Sequence, residues 1–195
     1  LYYLGFSNPA LAPEESRNVE AGLACNGDLG EARVGAKAVG WHNRVKDLIV
    51  FQCDASFNCA PQNVDRAKLD GVTLSGDVTW RDTTVRGSID LQNPTDDATG
   101  NLLPRRARTH GALGVLQRAG QATFGVELVA SSRRYDDAAN TRAMGGYAIV
   151  NLTAEWAVCK GVSLFARGDN VLDKSYELAA DYSTGGAQFF GGLRW

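Results

Sequence analysis

Apolar and polar residues alternate with a period of two along most of this chain, and this pattern limits the fold more than any other feature. From Val72 to Trp80, every second residue is Val, Leu, Gly or Trp, and the residues between them are Thr, Ser and Asp. The same alternation is found at 85–92, 123–130, 146–158 and 188–195. Successive side chains of a β-strand point to opposite faces, so each stretch predicts a strand with one apolar and one polar face.

Nine strands are predicted, and the connections between them alternate in length. The predicted strands span residues 15–25, 31–52, 64–80, 84–93, 105–117, 122–135, 146–158, 162–171 and 186–195. Short connections at 26–30, 81–83, 118–121 and 159–161 alternate with long ones at 53–63, 94–104, 136–145 and 172–185. Outer-membrane barrels have short turns at one end and long loops at the other. The sequence therefore predicts an all-β protein, an antiparallel transmembrane β-barrel.

Ten charged residues share one face of the predicted strands. They are Glu20, Asp77, Arg86, Asp90, Arg106, Arg108, Glu127, Glu155, Arg167 and Arg194. The other face has Trp80, Trp156 and Trp195 at the strand ends next to the short turns. Tryptophan at a shared depth is typical of an aromatic girdle, and charge facing lipid is costly. A soluble β-sandwich binding module is the alternative, but its apolar stripes would face water.

Composition argues against several other classes of protein. The net charge of the 195 residues is −2, whereas nucleic-acid binders are usually basic. The only histidines are His42 and His110, and neither forms part of a catalytic pattern, so no enzyme is predicted. The four cysteines form no zinc-binding pattern, but Cys53 and Cys59 bracket a short polar stretch. A Cys53–Cys59 disulfide is predicted if this loop faces an oxidising compartment, and two free thiols are the alternative.

The C-terminal strand ends on an aromatic residue. Phe189, Leu193 and Trp195 share the apolar face, and this pattern resembles the signal by which the assembly machinery recognises outer-membrane barrels. A single-chain bacterial barrel has an even number of strands and no open edge in lipid. Nine strands therefore lead us to expect more chain before Leu1.

Several motifs resemble those of TonB-dependent receptors. Residues 8–16 read NPALAPEES and are followed by Glu20-Ala21-Gly22, which is similar to the family's N-P-x-L-x-P-E-x-S and E-x-G. Residues 43–49 (NRVKDLI) and 70–72 (DGV) are similar to further family segments. Residues 169–177 (DNVLDKSYE) resemble the family's N-L-F-D-K-x-Y motif, with Val-Leu replacing Leu-Phe. The resemblance covers nearly the whole chain.

The resemblance implies a barrel of 22 strands with a plugged lumen, of which residues 1–195 would form the last nine. The N-terminal plug, the segment that contacts TonB and the earlier strands would lie outside this sequence. Active import of a small molecule across the bacterial outer membrane is implied, with the TonB complex, the barrel assembly machinery and outer-membrane lipid as partners. No cofactor is implied. A passive porin-like barrel is the alternative.

A narrower resemblance is to the vitamin B12 (cobalamin) receptor branch. It depends on residues 103–107 (LPRRA), 132–137 (SRRYDD), 145–147 (GGY) and 182–186 (YSTGG). Ala187 stands where that branch often has Arg, so the resemblance implies no functional role for this position. Cobalamin is the implied substrate, and a siderophore is the alternative.

Substrate contacts are expected in the outer loops, because loops on a rigid scaffold usually carry binding residues. The candidates are Arg133, Arg134, Tyr135, Tyr182 and Thr184. Tyr135 could instead be an aromatic residue of the upper girdle. The charges of the polar face could dock the plug and guide a polar substrate, although a solvated or mutually paired wall is the simpler interpretation for most of them.

Overall fold

Most of the described residues belong to one antiparallel sheet. The computed structural model describes residues 8–53 and 59–195, except for the side chains of 51–53, 59, 64 and 65. The strands are β1 (Glu15–Leu29), β2 (Ala32–Cys53), β3 (Cys59–Trp80), β4 (Thr83–Asp96), β5 (Thr109–Ala119), β6 (Ala122–Ser131), β7 (Arg134–Tyr135), β8 (Ala143–Met144), β9 (Tyr147–Cys159), β10 (Val162–Asp169), β11 (Glu177–Ala179), β12 (Tyr182–Ser183) and β13 (Gln188–Arg194). The sheet has nine strands in the order β1-β2-β3-β4-β5-β6-β9-β10-β13. The all-β, antiparallel fold predicted from the alternation is confirmed.

Four predicted strand ends differ from the structure by four or five residues. The first strand was predicted to end at residue 25 but ends at Leu29, and the third was predicted to start at residue 64 but starts at Cys59. The fifth was predicted to start at residue 105 but starts at Thr109, and the sixth was predicted to reach residue 135 but ends at Ser131. The chain leaves the sheet because Arg134 and Tyr135 pair with Met144 and Ala143 in the small β7–β8 hairpin. In the described residues, no helix is long and apolar enough to cross a membrane.

All four turns at one end of the sheet contain only two residues, between β1 and β2, β3 and β4, β5 and β6, and β9 and β10. Each has one residue with positive φ, namely Gly30 (62°), Arg81 (52°), Gly120 (61°) and Gly161 (83°). Glycine adopts this conformation at little steric cost, which explains its use at three of the turns. The other connections between neighbouring strands of the nine-stranded sheet are longer and lie at the opposite end, which we call the loop end. The predicted alternation of short and long connections is therefore present.

The register separates the side chains into two faces. Val78 lies opposite Val34 and Val85, whereas the neighbouring Asp77 lies opposite Gly35 and Arg86. Repeated over the sheet, this pairing gives an apolar face that carries the exposed Leu74, Leu113, Val126, Leu152 and Leu164, with Trp80 and Trp156 near the two-residue turns. Where the described strands carry these apolar residues, their acidic and basic side chains lie on the other, polar face. Closer to the loop end, β1, β2 and β3 also carry charged residues on the apolar side.

A small buried cluster lies on the polar face towards the loop end. It consists of Val45, Leu48, Ala67, Leu69 and Leu103. Leu103 comes from the connection between β4 and β5 and is only 2% exposed, because this connection folds over the extensions of β2 and β3. The long β2–β3 hairpin therefore gains an apolar support from a neighbouring loop.

Trp41, whose face the sequence leaves open, lies on the polar face beside this cluster. Its Nε1 donates a hydrogen bond to Thr73 Oγ1 (3.4 Å), and Thr73 Oγ1 donates to Asp90 Oδ1 (2.6 Å). The indole covers Gly71, where an added Cβ would lie 2.4 Å from a ring carbon of Trp41 and 2.8 Å from the Leu91 carbonyl oxygen. Gly71 is therefore needed for the close approach of Trp41 to the sheet.

The ends of β2 and β3 bring Cys53 and Cys59 to directly opposite backbone positions. Their side chains lie outside the described part of the molecule, so the disulfide stays a prediction. Cys25 and Cys159 are free and exposed.

We predict that Gly71→Ala lowers the free energy of unfolding of the natural full-length protein by about 1–3 kcal/mol, because the new methyl group displaces Trp41. Urea unfolding in lipid vesicles, followed by gel mobility, measures this change. Gly27→Ala is the matched control, because an added Cβ there meets no atom within 4 Å. Equal effects of the two substitutions would contradict this role of Gly71.

Candidate functional site

Three connections at the loop end contact one another and form what we call the loop cluster: residues 97–108, 132–146 and 170–187. The Arg105 N–H donates to the Tyr135 carbonyl (2.6 Å), which joins the first connection to the second. The Ala180 N–H donates to Asp136 Oδ1 (3.2 Å), which joins the second to the third. The three segments are therefore held as one unit by contacts that are distant in sequence.

Asn140 fastens the second connection to the first. Its Nδ2 donates to the Leu102 carbonyl and its Oδ1 accepts from the Leu102 N–H, both at 2.8 Å. Asn101 Nδ2 adds a bond to the Ala138 carbonyl (3.0 Å). Asn140 has a φ of 57°, a conformation that Asn tolerates better than most residues. The side chain thus combines a tight turn with two bonds to a neighbouring loop.

Asp136 lies at the centre of the cluster, with 15% of its side chain exposed. Its Oδ1 accepts from Arg105 Nε (2.7 Å) and from the Ala180 N–H. Burial by itself would raise the pKa of this carboxyl, but the bonds from Arg105 and Ala180 and the positive charges of Arg105 and Arg142 outweigh it. The pKa of Asp136 is therefore lowered, and its ionised form stabilises the contact between the three loops.

Asp137 organises the turn that follows. It accepts from the Thr141 N–H (3.0 Å), the Thr141 hydroxyl (2.9 Å) and the Arg142 N–H (2.7 Å). These bonds outweigh the effect of burial and lower the pKa of Asp137. The turn presents Arg142 to Asp181 of the third connection, where the two side chains form an exposed ion pair.

Arg134, one of the predicted substrate contacts, lies inside the cluster and is 4% exposed. Its guanidinium donates to the Ser131 hydroxyl (3.4 Å) and to the Glu177 carbonyl. It also lies over the ring of Tyr147, 5.3 Å from the centroid, and Tyr147 stacks on the ring of Tyr176 at 4.2 Å. Arg134 therefore connects the second and third connections to the sheet.

The other four predicted contacts also lie in the loop cluster, but with different exposure. Arg133 is exposed and Tyr182 is 74% exposed, so both can reach a ligand. Tyr135 is half-buried in β7. Thr184 is half-buried, and its hydroxyl donates to the Tyr176 carbonyl (2.8 Å), which leaves its oxygen lone pairs for another donor. Their role in substrate binding stays a prediction.

Sequence reasoning did not find the residues that hold the loops together, Asp136, Asp137 and Asn140. Only Asp137 has a local signal, because an Asp followed by Thr four residues later is typical of a turn closed by its side chain. The partners of Asp136 and Asn140 lie more than 30 residues away. No spacing within the sequence predicts these contacts.

The polar face forms a second candidate surface, a concavity of about 930 Å³. Its lining includes Lys37, Asp77, Arg86, Glu127 and Arg167. Among the described side chains, only Glu155 and Arg194 form an ion pair between strands of this face (3.0 Å). Arg167 pairs with Asp169 of its own strand (2.7 Å), and Glu127 accepts a hydrogen bond from Asn151 (2.9 Å). Lys37, Asp77 and Arg86 remain available to solvent or to a polar partner.

Comparison with known proteins identifies the class to which this fold belongs. The family described as TonB dependent receptor-like, beta-barrel matches residues 1–171, and the chain belongs to this family.

Two curated relatives are named vitamin B12 transporter BtuB. The protein from Photobacterium profundum is 28% identical over 187 residues, which are 94% of this chain and 30% of the relative. The protein from Vibrio vulnificus is 27% identical over 199 aligned residues, which cover 100% of this chain and 31% of the relative. The chain therefore spans about a third of the length of these relatives.

Solved structures share the fold at lower identity. The copper transporter OprC has a TM-score of 0.78 and 20% identity, with 95% of this chain and 32% of that chain covered. The siderophore receptor PiuA from Acinetobacter baumannii has a TM-score of 0.72 and 21% identity, with 93% of this chain and 28% of that chain covered. These likenesses support the fold and leave the ligand open.

We predict that Asp136→Asn loosens the loop cluster, because the neutral amide loses the charge-assisted bond from Arg105. Removing such a bond costs about 1–2 kcal/mol, so the protected amides of residues 132–146 and 170–187 should exchange hydrogen about tenfold faster. Hydrogen exchange with mass spectrometry measures this on the full-length protein. Asp97→Asn, at an exposed position of the first connection, is the matched control.

Acidification should also loosen the loop cluster. Because the pKa of Asp136 is lower in the folded protein than in the unfolded chain, its stabilisation is complete above the unfolded value near 4 and is lost as the pH falls through the folded value. Relative to the intrinsic exchange rate, which itself changes with pH, the protection of amides in the loop cluster should decrease on acidification below about pH 4, and less so in the Asp136→Asn variant. An unchanged acid response in that variant would contradict the assignment.

Proposed function

We propose that this chain is part of an outer-membrane receptor that imports cobalamin in a TonB-dependent manner. The observation that carries the proposal is the similarity to two vitamin B12 transporters. The alignment with one of them covers the whole chain and therefore includes the loop cluster. A ligand assignment depends on the loops, because the barrels of this family share one scaffold among different substrates.

The two faces of the sheet support a position in the outer membrane. Burial of an apolar face in lipid would remove exposed side chains such as Leu23 (83%) and Phe189 (73%) from water. The sheet would then form part of a closed barrel with the polar face towards the lumen. The count of 22 strands, and the place of these strands as the last nine, stay predictions.

The loop cluster supports binding of a large polar ligand. Arg133 offers hydrogen-bond donors and Tyr182 an exposed ring, a combination that suits the amide groups and apolar surface of cobalamin. Arg134 would act indirectly, because its buried guanidinium holds the segments that carry both residues. An iron chelate is the second candidate ligand, because Arg133 could equally pair with its anionic groups.

Binding of radiolabelled cyanocobalamin to outer-membrane vesicles that contain the full-length protein tests the ligand. We expect saturable binding by the wild type. Arg133→Ala or Tyr182→Ala should each weaken it about tenfold, because each substitution removes one good polar or stacking contact. Arg118→Ala, at the turn end of β5, and Leu172→Ala, in the same connection as Tyr182, are controls that should bind as the wild type.

Arg134→Ala should weaken binding and also speed hydrogen exchange in the loop cluster, whereas Arg133→Ala should leave exchange unchanged. The absence of saturable binding by the wild type would contradict cobalamin as the substrate and leave the family unaffected. Uptake of cobalamin by cells that lack TonB would contradict energised import and favour a passive barrel.

We also propose that Phe189, Leu193 and Trp195 are recognised by the barrel assembly machinery. Trp195 is 92% exposed and follows the last strand, so its side chain adds little to the packing of the sheet. Trp195→Ala should therefore reduce the amount of folded barrel in cells severalfold while the urea midpoint of the purified protein changes little. Trp195→Phe should restore assembly, and a normal amount of folded Trp195→Ala protein would contradict the proposal.

A further inference from the structure

A strip of basic side chains lies on the same face as the apolar residues, at the loop end of the sheet. We call it the basic strip. It consists of Arg17 in β1, Arg44 and Lys46 in β2, and Arg66 and Lys68 in β3. The register brings these residues together on three adjacent strands, because Arg17 lies opposite Arg44, Arg44 opposite Lys68, and Lys46 opposite Arg66.

The basic strip begins where the apolar face ends. His42 lies opposite Asp70, and two residues closer to the turns Gly40 lies opposite Val72. Side chains two residues apart in a strand share a face, so the five cations continue the row of Val72, Leu74 and Val78. In the proposed membrane position, the basic strip would lie at the boundary between hydrocarbon and headgroups.

Most of the positive charge in the strip is not neutralised by the protein. Asp70 accepts from Lys68 Nζ (2.9 Å) and contacts His42, while Arg44 Nε donates to His42 Nε2 (3.2 Å). Among the side chains that the structure describes, Arg17, Arg44, Lys46 and Arg66 form no ion pair, and all four are exposed. Glu15 lies opposite Lys46 but forms no ion pair with it among the described side chains, so cations remain in excess. Like charges directly opposite each other destabilise a sheet, so this excess favours an external anion.

A shallow, mainly apolar groove of about 850 Å³ lies directly below the strip, with polar residues such as Asn93 and Thr109 on one side. Val19, Ala21, Gly40, Val72 and Leu91 line it, and His42 and Asp70 lie at its upper end. The small side chain of Ala21 and the absence of one at Gly40 leave this space between larger neighbours. The apolar lining suits a hydrocarbon chain, and the upper end of the groove opens onto the cations.

We propose that the basic strip and the groove bind a phosphate-bearing membrane lipid, with the phosphate on the arginines and lysines and an acyl chain in the groove. Arginine pairs with phosphate oxygens in a bidentate manner, and basic residues beside a membrane attract anionic headgroups. The continuity of charge and groove favours a lipid over a soluble phosphate compound. The inference depends on the proposed position in the outer membrane and is independent of the imported substrate.

Native mass spectrometry of the full-length protein in neutral detergent, titrated with dioleoyl phosphatidic acid, tests the proposal. We expect Arg17→Gln, Arg44→Gln and Lys46→Gln together to weaken binding about a hundredfold, the effect of three basic side chains beside an anionic headgroup. The matched control replaces three basic residues near the turns, Arg81, Arg118 and Lys160, by Gln and should bind as the wild type.

A second variant tests the groove without changing the charge. Gly40→Leu would fill the groove, and an added Cβ at Gly40 meets no atom closer than 4.0 Å, so the fold should tolerate it. This variant should lose the lipid while all five cations remain. In the wild type, raising ammonium acetate from about 0.05 to 0.5 M should weaken binding, because salt screens the exposed charges.

Three results would overturn the proposal: retained affinity in the triple strip variant, equal loss in the turn-end control, or displacement of the lipid by glycerol 3-phosphate at equal concentration. The last result would identify a site for soluble phosphate. Cyanocobalamin binding should stay unchanged in the strip and groove variants, so failure of the lipid site and failure of the proposed substrate are separable.

Discussion

The hydrogen bonds between neighbouring strands fix the register on which every other property of this molecule depends. A slip of one residue would move each apolar side chain to the polar face and each charge to the apolar face. The two-residue turns prevent such a slip, since pairs such as Leu29–Ala32 and Trp80–Thr83 close the hairpins directly. The register thereby separates an apolar surface from a charged concavity within a single layer of strands.

The loop end is held in a different way. Its connections are too long to be fixed by strand pairing, and side chains such as Asp136, Asn140 and Arg134 take over this role. Each of them bonds to a backbone group or side chain of a neighbouring connection. A binding surface on this end can therefore change at Arg133 or Tyr182 without loss of the frame beneath it, which suits a family whose members differ in substrate.

The sequence predicted the parts of the fold that have a local pattern. Alternation predicted the strands and the two faces, and the positions of the short turns followed from Gly and polar residues between the alternating stretches. Arg134 and Tyr135 were predicted in a strand of the main sheet because alternation continues through Ser131, whereas pairing with β8 draws them away. The interior position of Arg134 could not be predicted either, since it depends on the Glu177 carbonyl 43 residues away.

In the proposed outer-membrane position, the length of the β2–β3 hairpin would affect access to the receptor from outside. Each strand has 22 residues, of which about ten are enough to cross a bilayer at the usual tilt. Beyond Gly71, the hairpin continues for a further 12 residues of β3, back to Cys59, or about 40 Å of extended chain. In that position, antibodies and other bulky particles that approach the cell would meet the outer residues of β2 and β3 as well as the loop cluster. Variation in these outer residues could change what recognises the cell without altering what the receptor takes up.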